Sequence, residues 1–304
     1  MFCGQISEGS ISTRRSRTTR KGKEDLEVFP PRGLNAKKPL TLKAVLTRVI
    51  AGAILIPIVI GMIEIGGLWF ALFVSVLAGL GSHEFARAVS VKGFRVGTWL
   101  MVGGSMTICM SFLGRLELVG LVTSIYVVAC LVERLAHGET SGYIAEAFIT
   151  IGGALYSGFM LGFFVLLRNS TFTLGSGIGE IKGQTLVYLI VAITWTYDSA
   201  AYFLGSLLGR HSLVPRISPA KTIEGTLGGL VFALIAAVIC MRTFASYLGI
   251  YEALFIGLLI GIVAQVGDLV ESMIKRDAGI KDSSSVIPGP VSYTHLRAHE
   301  TRHD

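Results

Sequence analysis

The chain has 304 residues, of which 52% are hydrophobic and 15% are charged, and its mean hydropathy is +0.65. Soluble domains usually have about a quarter of their residues charged, so this composition excludes an ordinary soluble globular protein. The net charge of +7 is concentrated near the N-terminus and in particular loops, which indicates membrane orientation and phosphate attraction, with no nucleic-acid partner.

The first 44 residues are polar and basic, and they contain no apolar run. Low hydrophobicity with high charge is typical of disorder, so residues 1–44 are predicted to form a disordered cytoplasmic extension. An organellar transit peptide is the alternative, but the acids Glu24, Asp25 and Glu27 disfavour it. The basic residues of the segment include Arg14, Arg15, Arg17, Arg20, Lys21 and Lys23.

Eight apolar segments follow, and several approach the roughly 20 residues that a membrane-spanning helix needs. They predict an all-α, polytopic integral membrane protein with about eight transmembrane helices, forming one domain over residues 45–289. The 37 glycines agree with this class, because small residues let membrane helices approach closely. The segments are residues 46–63, 66–82, 98–114, 117–133, 143–167, 185–208, 226–247 and 251–268.

The charges of the loops predict an orientation. If the basic N-terminus is cytoplasmic, residues 83–97, residues 209–225 and the segment after residue 268 all face the cytoplasm, and each is rich in Lys and Arg. The predicted location is therefore a bacterial-type inner (plasma) membrane, with the N-terminus and the functional site cytoplasmic and an organellar membrane as the alternative. Glu84 is predicted to begin the first of these loops, at the membrane interface, and a place beside the cytoplasmic pocket is the alternative.

One acid, Asp198, falls inside an apolar run. An unpaired charge at membrane depth costs several kcal/mol, so such an acid is neutralised, paired or bound to a cation. A structural hydrogen bond between helices is one interpretation of Asp198. A metal ligand, or a residue that supports one, is the other.

The loop before the seventh segment, residues 218–225, combines features suited to an anion. Ser218 or Thr222 can cap the helix that follows, and the N-terminus of a helix attracts phosphate through its free N–H groups. Lys221 adds a full positive charge at the same place. A capped helix with an ordinary membrane-flanking lysine is the alternative, but Arg210, His211 and Arg216 nearby favour an anionic ligand.

The segment from residue 267 to 289 is the most informative. In helical register Asp268, Glu271, Ser272 and Lys275 lie at i, i+3, i+4 and i+7 and share one face. Carboxylates are candidate ligands for a hard cation such as Mg²⁺, and Lys275 and Arg276 can neutralise phosphate charge. Basic residues at the cytoplasmic end of a membrane span would explain Lys275 and Arg276. They would leave the two acids and the serine of this face unexplained.

These motifs resemble the phosphatidate cytidylyltransferase (CDP-diacylglycerol synthase) family. The resemblance is strong over residues 190–289. Asp198 with residues 201–205 and the loop from Ser218 to Gly225 resemble two further patches of the family. The residues that fill the family signature are Ser272, Lys275, Arg276, Lys281, Asp282, Ser284, Ile287 and Pro288.

The resemblance implies an enzyme that uses CTP and phosphatidate at the bilayer to make CDP-diacylglycerol and pyrophosphate, with Mg²⁺ or another hard divalent cation. A homodimer is compatible with it. The implied catalytic residues are Asp268, Lys275 and Arg276, with Asp268 and Asp198 as metal ligands. The implied substrate-binding residues are Ser218, Lys221, Thr222, Glu224, Ser272, Lys281 and Asp282.

Two other functions remain open at this point. A CTP-dependent polyprenol or phytol kinase would use similar substrates but would transfer the γ-phosphoryl group. A membrane transporter would also place acids inside membrane spans. A transporter is expected to show internal repeats, and it leaves the basic and acidic pairs after residue 274 unexplained.

The last residues, 290–304, change in character. They contain three of the six histidines and no apolar periodicity, and they resemble translated vector sequence. The family signature continues through His-Gly-Gly to an aspartate element, whereas Gly289 is followed by Pro290. The resemblance therefore predicts a chain truncated at its C-terminus, with impaired activity.

Overall fold

The computed structural model describes residues 42–136, 142–173 and 180–279, and most of them are helical. Each of the eight predicted apolar segments forms a helix, which confirms the all-α fold. A π-helical turn, Leu155–Phe159, joins α5 to α6 without a break. The helices are α1 (Leu42–Ile65), α2 (Gly67–Val91), α3 (Thr98–Ser111), α4 (Leu116–Ala136), α5 (Tyr143–Ala154), α6 (Met160–Asn169), α7 (Gly183–Leu208), α8 (Ile223–Thr243) and α9 (Ile250–Asp277).

Two short antiparallel hairpins complete the described fold. Strand β1 (Thr171–Thr173) pairs with β2 (Glu180–Lys182), and β3 (Ser212–Val214) pairs with β4 (Ser218–Thr222). The predicted basic extension, residues 1–44, lies outside the described residues except for the first turn of α1. The predicted tail, residues 290–304, also lies outside them.

Six helical segments in the described part of the chain are long and apolar enough to cross a membrane. They correspond to α2, α4, the continuous α5–α6 helix, α7, α8 and α9. The predicted span at 98–114 is shorter than expected, because α3 has 14 residues and is about 21 Å long, whereas the hydrocarbon core is about 30 Å thick. The apolar part of α1 is also short, at Gly52–Ile65.

The predicted loop at 83–97 is wrong over most of its length. Helix α2 continues through Glu84 and Arg87 to Val91, because the stretch from residue 83 to residue 92 contains neither glycine nor proline. That glycine has φ +88°, a conformation that favours glycine over other residues, and it lets the chain turn towards α3.

Contacts between chain segments confirm that the three basic segments lie on one side of the helix bundle. The ammonium of Lys92, just after α2, pairs with Asp277 at the end of α9 at 2.5 Å. Nε of Arg276 donates to the carbonyl of Ile217, between β3 and β4, at 3.2 Å. The ends of α2 and α9 and the β3–β4 hairpin therefore meet at one side.

The opposite side is closed by a different set of bonds. Nε of Arg168 donates to the carbonyl of Ile63 at 2.5 Å, and the hydroxyl of Tyr188 donates to Oε1 of Glu64 at 2.7 Å. These bonds attach the last turn of α1, just before the connection to α2, to α6 and α7. Glu64 thus has a structural role in the hairpin connection.

The buried apolar side chains form two clusters. The first involves helices α1 to α7, and the second joins α7, α8 and α9 through Ile193, Tyr197 and Ala233 among others. Many large apolar side chains point outwards, among them Trp69, Ile125 and Phe255, as expected for surfaces that face lipid. The second cluster packs together α7 and α9, which carry the predicted site residues Asp198 and Asp268, and α8.

Candidate functional site

An ion pair between β4 and α9 is the centre of the site. The ammonium of Lys221, on the strand that leads into α8, contacts the carboxylate of Asp268 on α9. The lysine side chain is 17% exposed and the aspartate side chain 53% exposed. The lysine nitrogen is shielded from solvent, while Asp268 remains open to a ligand.

Asp198 of α7 belongs to the same group. Its carboxylate interacts electrostatically with Asp268, Lys221 and Glu271. Asp198 therefore lies beside a lysine and two further acids, a place in which it can share a cation with Asp268. Its role as a metal ligand and its role in a structural hydrogen bond both stay predictions.

Lys275 extends the group by one helical turn. Its ammonium pairs with Oε1 of Glu271 at 2.5 Å, the i,i+4 pair expected from the sequence, and its side chain is 19% exposed. The charges of Lys275 and Glu271 both interact electrostatically with Glu84 of α2. We call the set Asp198, Lys221, Asp268, Glu271 and Lys275, together with Glu84, the ionic cluster.

Glu84 was expected in a loop at the membrane interface, with a place beside the cytoplasmic pocket as the alternative. Since α2 continues to Val91, Glu84 lies on a helix and faces the end of α9. The absence of glycine and proline from His83 to Val91 was the signal that could have placed it on a helix.

The β3–β4 hairpin is held against the start of α8 by Glu224. Its carboxylate accepts a hydrogen bond from the backbone N–H of Arg210 at 3.0 Å, and it contacts Nδ1 of His211 at 2.7 Å. The backbone N–H of Ile223 also donates to the carbonyl of His211 at 2.9 Å. These contacts give Glu224 a structural task, and its substrate contact stays a prediction.

The predicted cap of α8 is present. The hydroxyl of Thr222 accepts a hydrogen bond from the backbone N–H of Gly225 at 3.1 Å, and Thr222 is the N-cap residue. Ser218 on β4 and Ser272 on α9 are half-buried. Their substrate contacts remain predictions, as does that of Thr222.

The remaining predicted residues fall at the edge of the site or beyond it. Arg276 uses Nε to bind the carbonyl of Ile217, so it holds α9 to the hairpin and leaves its terminal nitrogens for other partners. Lys281 and Asp282 lie outside the described residues, which end at Gly279.

The carboxylates of the ionic cluster are candidate ligands for a metal ion. No group of three or more His, Cys, Asp or Glu side chains within the described ranges could hold a metal alone. Mg²⁺, however, usually takes one or two carboxylates and completes its shell with water and substrate phosphates. Asp198 and the second oxygen of Asp268 fit that requirement, while Lys221 contacts the other oxygen of Asp268.

Replacing Glu224 with alanine is expected to loosen the β3–β4 hairpin. The change removes the acceptor of Arg210 N–H and the partner of the His211 ring, so residues 209–217 should become more sensitive to protease. Limited proteolysis followed by mass spectrometry measures the effect. Glu224→Gln keeps one acceptor oxygen and is expected to be cut more slowly than Glu224→Ala; equal cutting of both variants and the parent would refute the role.

The chain is similar to known proteins over most of its length. A sequence model of the cytidylyltransferase family matches residues 46–290. A phosphatidate cytidylyltransferase of Bacillus subtilis is 37% identical over 142 residues, which are 47% of this chain and 49% of that protein. The match thus spans about half the length of that relative.

Two other relatives match over longer stretches. A phosphatidate cytidylyltransferase of Brucella suis is 32% identical over 249 residues, which are 80% of this chain and 84% of that protein. A phosphatidate cytidylyltransferase of Staphylococcus saprophyticus is 29% identical over 251 residues, which are 80% and 88% of the two chains.

Proposed function

Because this chain belongs to the cytidylyltransferase family, a family of nucleotidyltransferase enzymes, we propose that it transfers the CMP group of CTP to phosphatidate. The products are CDP-diacylglycerol and pyrophosphate. The observation that carries the proposal is the ionic cluster, which combines carboxylates and shielded lysines from α2, α7, β4 and α9. Relatives that match over most of their length are named for the same reaction.

The proposed reaction is a substitution at phosphorus. An oxygen of the phosphatidate phosphate attacks the α-phosphorus of CTP, a new P–O bond forms, and the bond to the β-phosphate oxygen breaks as pyrophosphate leaves. The attacking phosphate is already ionised near neutral pH, so the reaction needs no strong general base. The protein must instead bring two anions together in line and neutralise their charge.

The ionic cluster supplies what this reaction needs. Lys221 and Lys275 each carry an ammonium that is mostly shielded from solvent, where a charge acts more strongly on a phosphate than it does in water. Arg276 adds a third cation beside the hairpin. Asp198 and Asp268 would hold Mg²⁺, which, when bound, would offset the charge of the triphosphate.

The arrangement also supports the proposed orientation. The ionic cluster and the basic segments share one side of the bundle, and basic loops favour the cytoplasmic side. CTP is a cytoplasmic nucleotide, and phosphatidate lies in the bilayer. We therefore place the site at the cytoplasmic face of a bacterial-type inner membrane, with a homodimer as a compatible assembly.

The reaction can be tested with the full chain in detergent micelles containing phosphatidate. With CTP labelled in the α-phosphate, the label is expected in CDP-diacylglycerol, accompanied by unlabelled pyrophosphate. A CTP-dependent lipid kinase would instead release labelled CDP and transfer the γ-phosphate to the lipid. Because the chain is predicted to have impaired activity, labelled lipid is expected to form more slowly than with a curated relative. No labelled lipid above the protein-free background would refute the proposal.

Removing divalent cations is expected to abolish product formation. The cluster has four carboxylates, and with Arg276 it has three cations. These cations cannot neutralise the two substrate phosphates as well as the carboxylates, so the site needs an added cation. Labelled CDP-diacylglycerol should disappear in excess EDTA and return when Mg²⁺ is added in excess. Undiminished synthesis in EDTA would argue against metal binding by Asp198 and Asp268.

A further inference from the structure

A buried amide joins the three helices directly next to the ionic cluster. Oε1 of Gln265 on α9 accepts hydrogen bonds from the hydroxyl of Tyr197 on α7 at 2.5 Å and from the hydroxyl of Thr226 on α8 at 3.1 Å. Tyr197 is 2% exposed, and the amide nitrogen of Gln265 is shielded from solvent. One side chain therefore connects the three helices of the second buried cluster.

Each partner in this network lies within five residues of a member of the ionic cluster. Tyr197 immediately precedes Asp198. Gln265 is one helical turn before Asp268, and residues at i and i+3 share a helix face. Thr226 is one turn beyond Thr222, whose carbonyl lies 3.1 Å from the Thr226 hydroxyl, and Thr222 follows Lys221 in the chain.

The hydroxyl protons decide how these bonds are shared. Tyr197 donates its proton to Oε1 of Gln265. The Thr226 hydroxyl has one proton, which it can give either to the carbonyl of Thr222 or to Oε1 of Gln265. Oε1 of Gln265 is thus the acceptor that α7 and α8 have in common.

We propose that Gln265 is a positioning residue, which fixes the relative register of α7, α8 and α9 so that Asp198, Lys221 and Asp268 converge. The proposal deepens the proposed function and rests on it for the meaning of the site. The helices approach closely through small residues such as Ala233 and Gly261, and the bonds of Gln265 add directional polar contacts to this packing.

The test measures the shielding of Lys221 directly. In the parent protein its ammonium is shielded from solvent, so it should react slowly with an amine-acylating reagent. Gln265→Leu removes the amide but keeps the side-chain size, and it should raise the labelling rate of Lys221 about tenfold by local opening. Mass spectrometry of the peptide reports the rate, with the exposed Lys182 as internal reference.

A matched control separates local positioning from general loosening. Tyr126→Phe removes another buried hydroxyl bond between helices, from Tyr126 on α4 to the carbonyl of Thr150 on α5 at 3.2 Å, in the first buried cluster. It should leave Lys221 labelling unchanged. Equal labelling of Lys221 in the parent and in Gln265→Leu, or an equal rise in Tyr126→Phe, would overturn the proposal.

A second pair of variants keeps the test decisive if Gln265→Leu does not fold. Thr226→Val removes the hydroxyl at constant size and should increase Lys221 labelling, whereas Thr226→Ser keeps the hydroxyl and should restore shielding. Equal labelling rates of Lys221 in Thr226→Val and Thr226→Ser would contradict the role of the network.

Kinetics give a second readout. A positioning defect should lower kcat more than it changes KM for CTP, because misplaced groups affect the transition state more than substrate binding. If the parent chain makes no CDP-diacylglycerol, the proposed function fails, while Lys221 labelling still decides whether Gln265 positions the cluster.

Discussion

Asp268→Asn is expected to lower kcat for CDP-diacylglycerol synthesis by about a hundredfold to a thousandfold, the usual effect of removing one electrostatic contact to a transition state. The substitution is nearly isosteric, but it removes the charge that pairs with Lys221 and one of the two proposed Mg²⁺ ligands. Steady-state synthesis of labelled CDP-lipid at saturating CTP and Mg²⁺ measures the loss.

Asp277→Asn is the matched control, since Asp277 lies on the same helix, nine residues further on. Its carboxylate pairs with Lys92 but is 76% exposed, and exposed ion pairs contribute little. We expect its kcat to stay within about twofold of the parent, in line with this weak contribution. If Asp268→Asn retained a comparable activity, Asp268 could not be a metal ligand.

A double variant separates the chemical role of Asp268 from its structural role. Asp268→Asn leaves the mostly shielded ammonium of Lys221 without its counter-charge, which destabilises a folded protein. Combining it with Lys221→Gln removes both charges and should restore much of the thermal stability. Activity should stay low, because neither group is then available to the substrate. Recovery of activity in the double variant would show that the loss in Asp268→Asn was a folding defect.

The helices were predictable because membrane helices are long apolar runs. All eight segments are found in the structure, and the N-cap at Thr222 follows from its place before an apolar run. The convergence of Lys221 and Asp268 was also predictable in outline, because both lie at the same side of the membrane under the positive-inside rule.

Other parts of the site could not be read from the sequence. Tyr197, Thr226 and Gln265 are isolated polar residues in apolar runs, and their mutual bonds depend on which helix faces lie together. In a membrane the outer faces of helices are as apolar as the inner ones, so hydrophobic periodicity does not identify neighbours. The two alternatives for Glu84 stayed open for a related reason, since its proximity to α9 depends on tertiary packing.

The packing of α7 against α8 gives the second large effect. Gly225→Ala should lower both stability and activity, because a Cβ at residue 225 would lie 2.7 Å from the carbonyl oxygen of Ala201 and 2.9 Å from Cα of Gly205. Both neighbours are backbone atoms and cannot rotate away, so the two helices must separate. Overpacking of this kind usually costs about 1–3 kcal/mol. Thermal unfolding in detergent measures the cost.

The loss of activity in Gly225→Ala should exceed what the loss of stability explains. Gly225 lies directly after the hairpin that carries Lys221, and a displacement of about 1 Å between reacting groups can reduce a rate by about a hundredfold. Gly120→Ala on α4 is the matched control, since nothing lies within 4 Å of the added Cβ there. It should not lower stability and can raise it by up to about 1 kcal/mol, because alanine favours a helix over glycine. If the two alanine variants behaved alike in unfolding and in CDP-lipid synthesis, close contact of α7 with α8 could not be what brings Asp198 to Lys221.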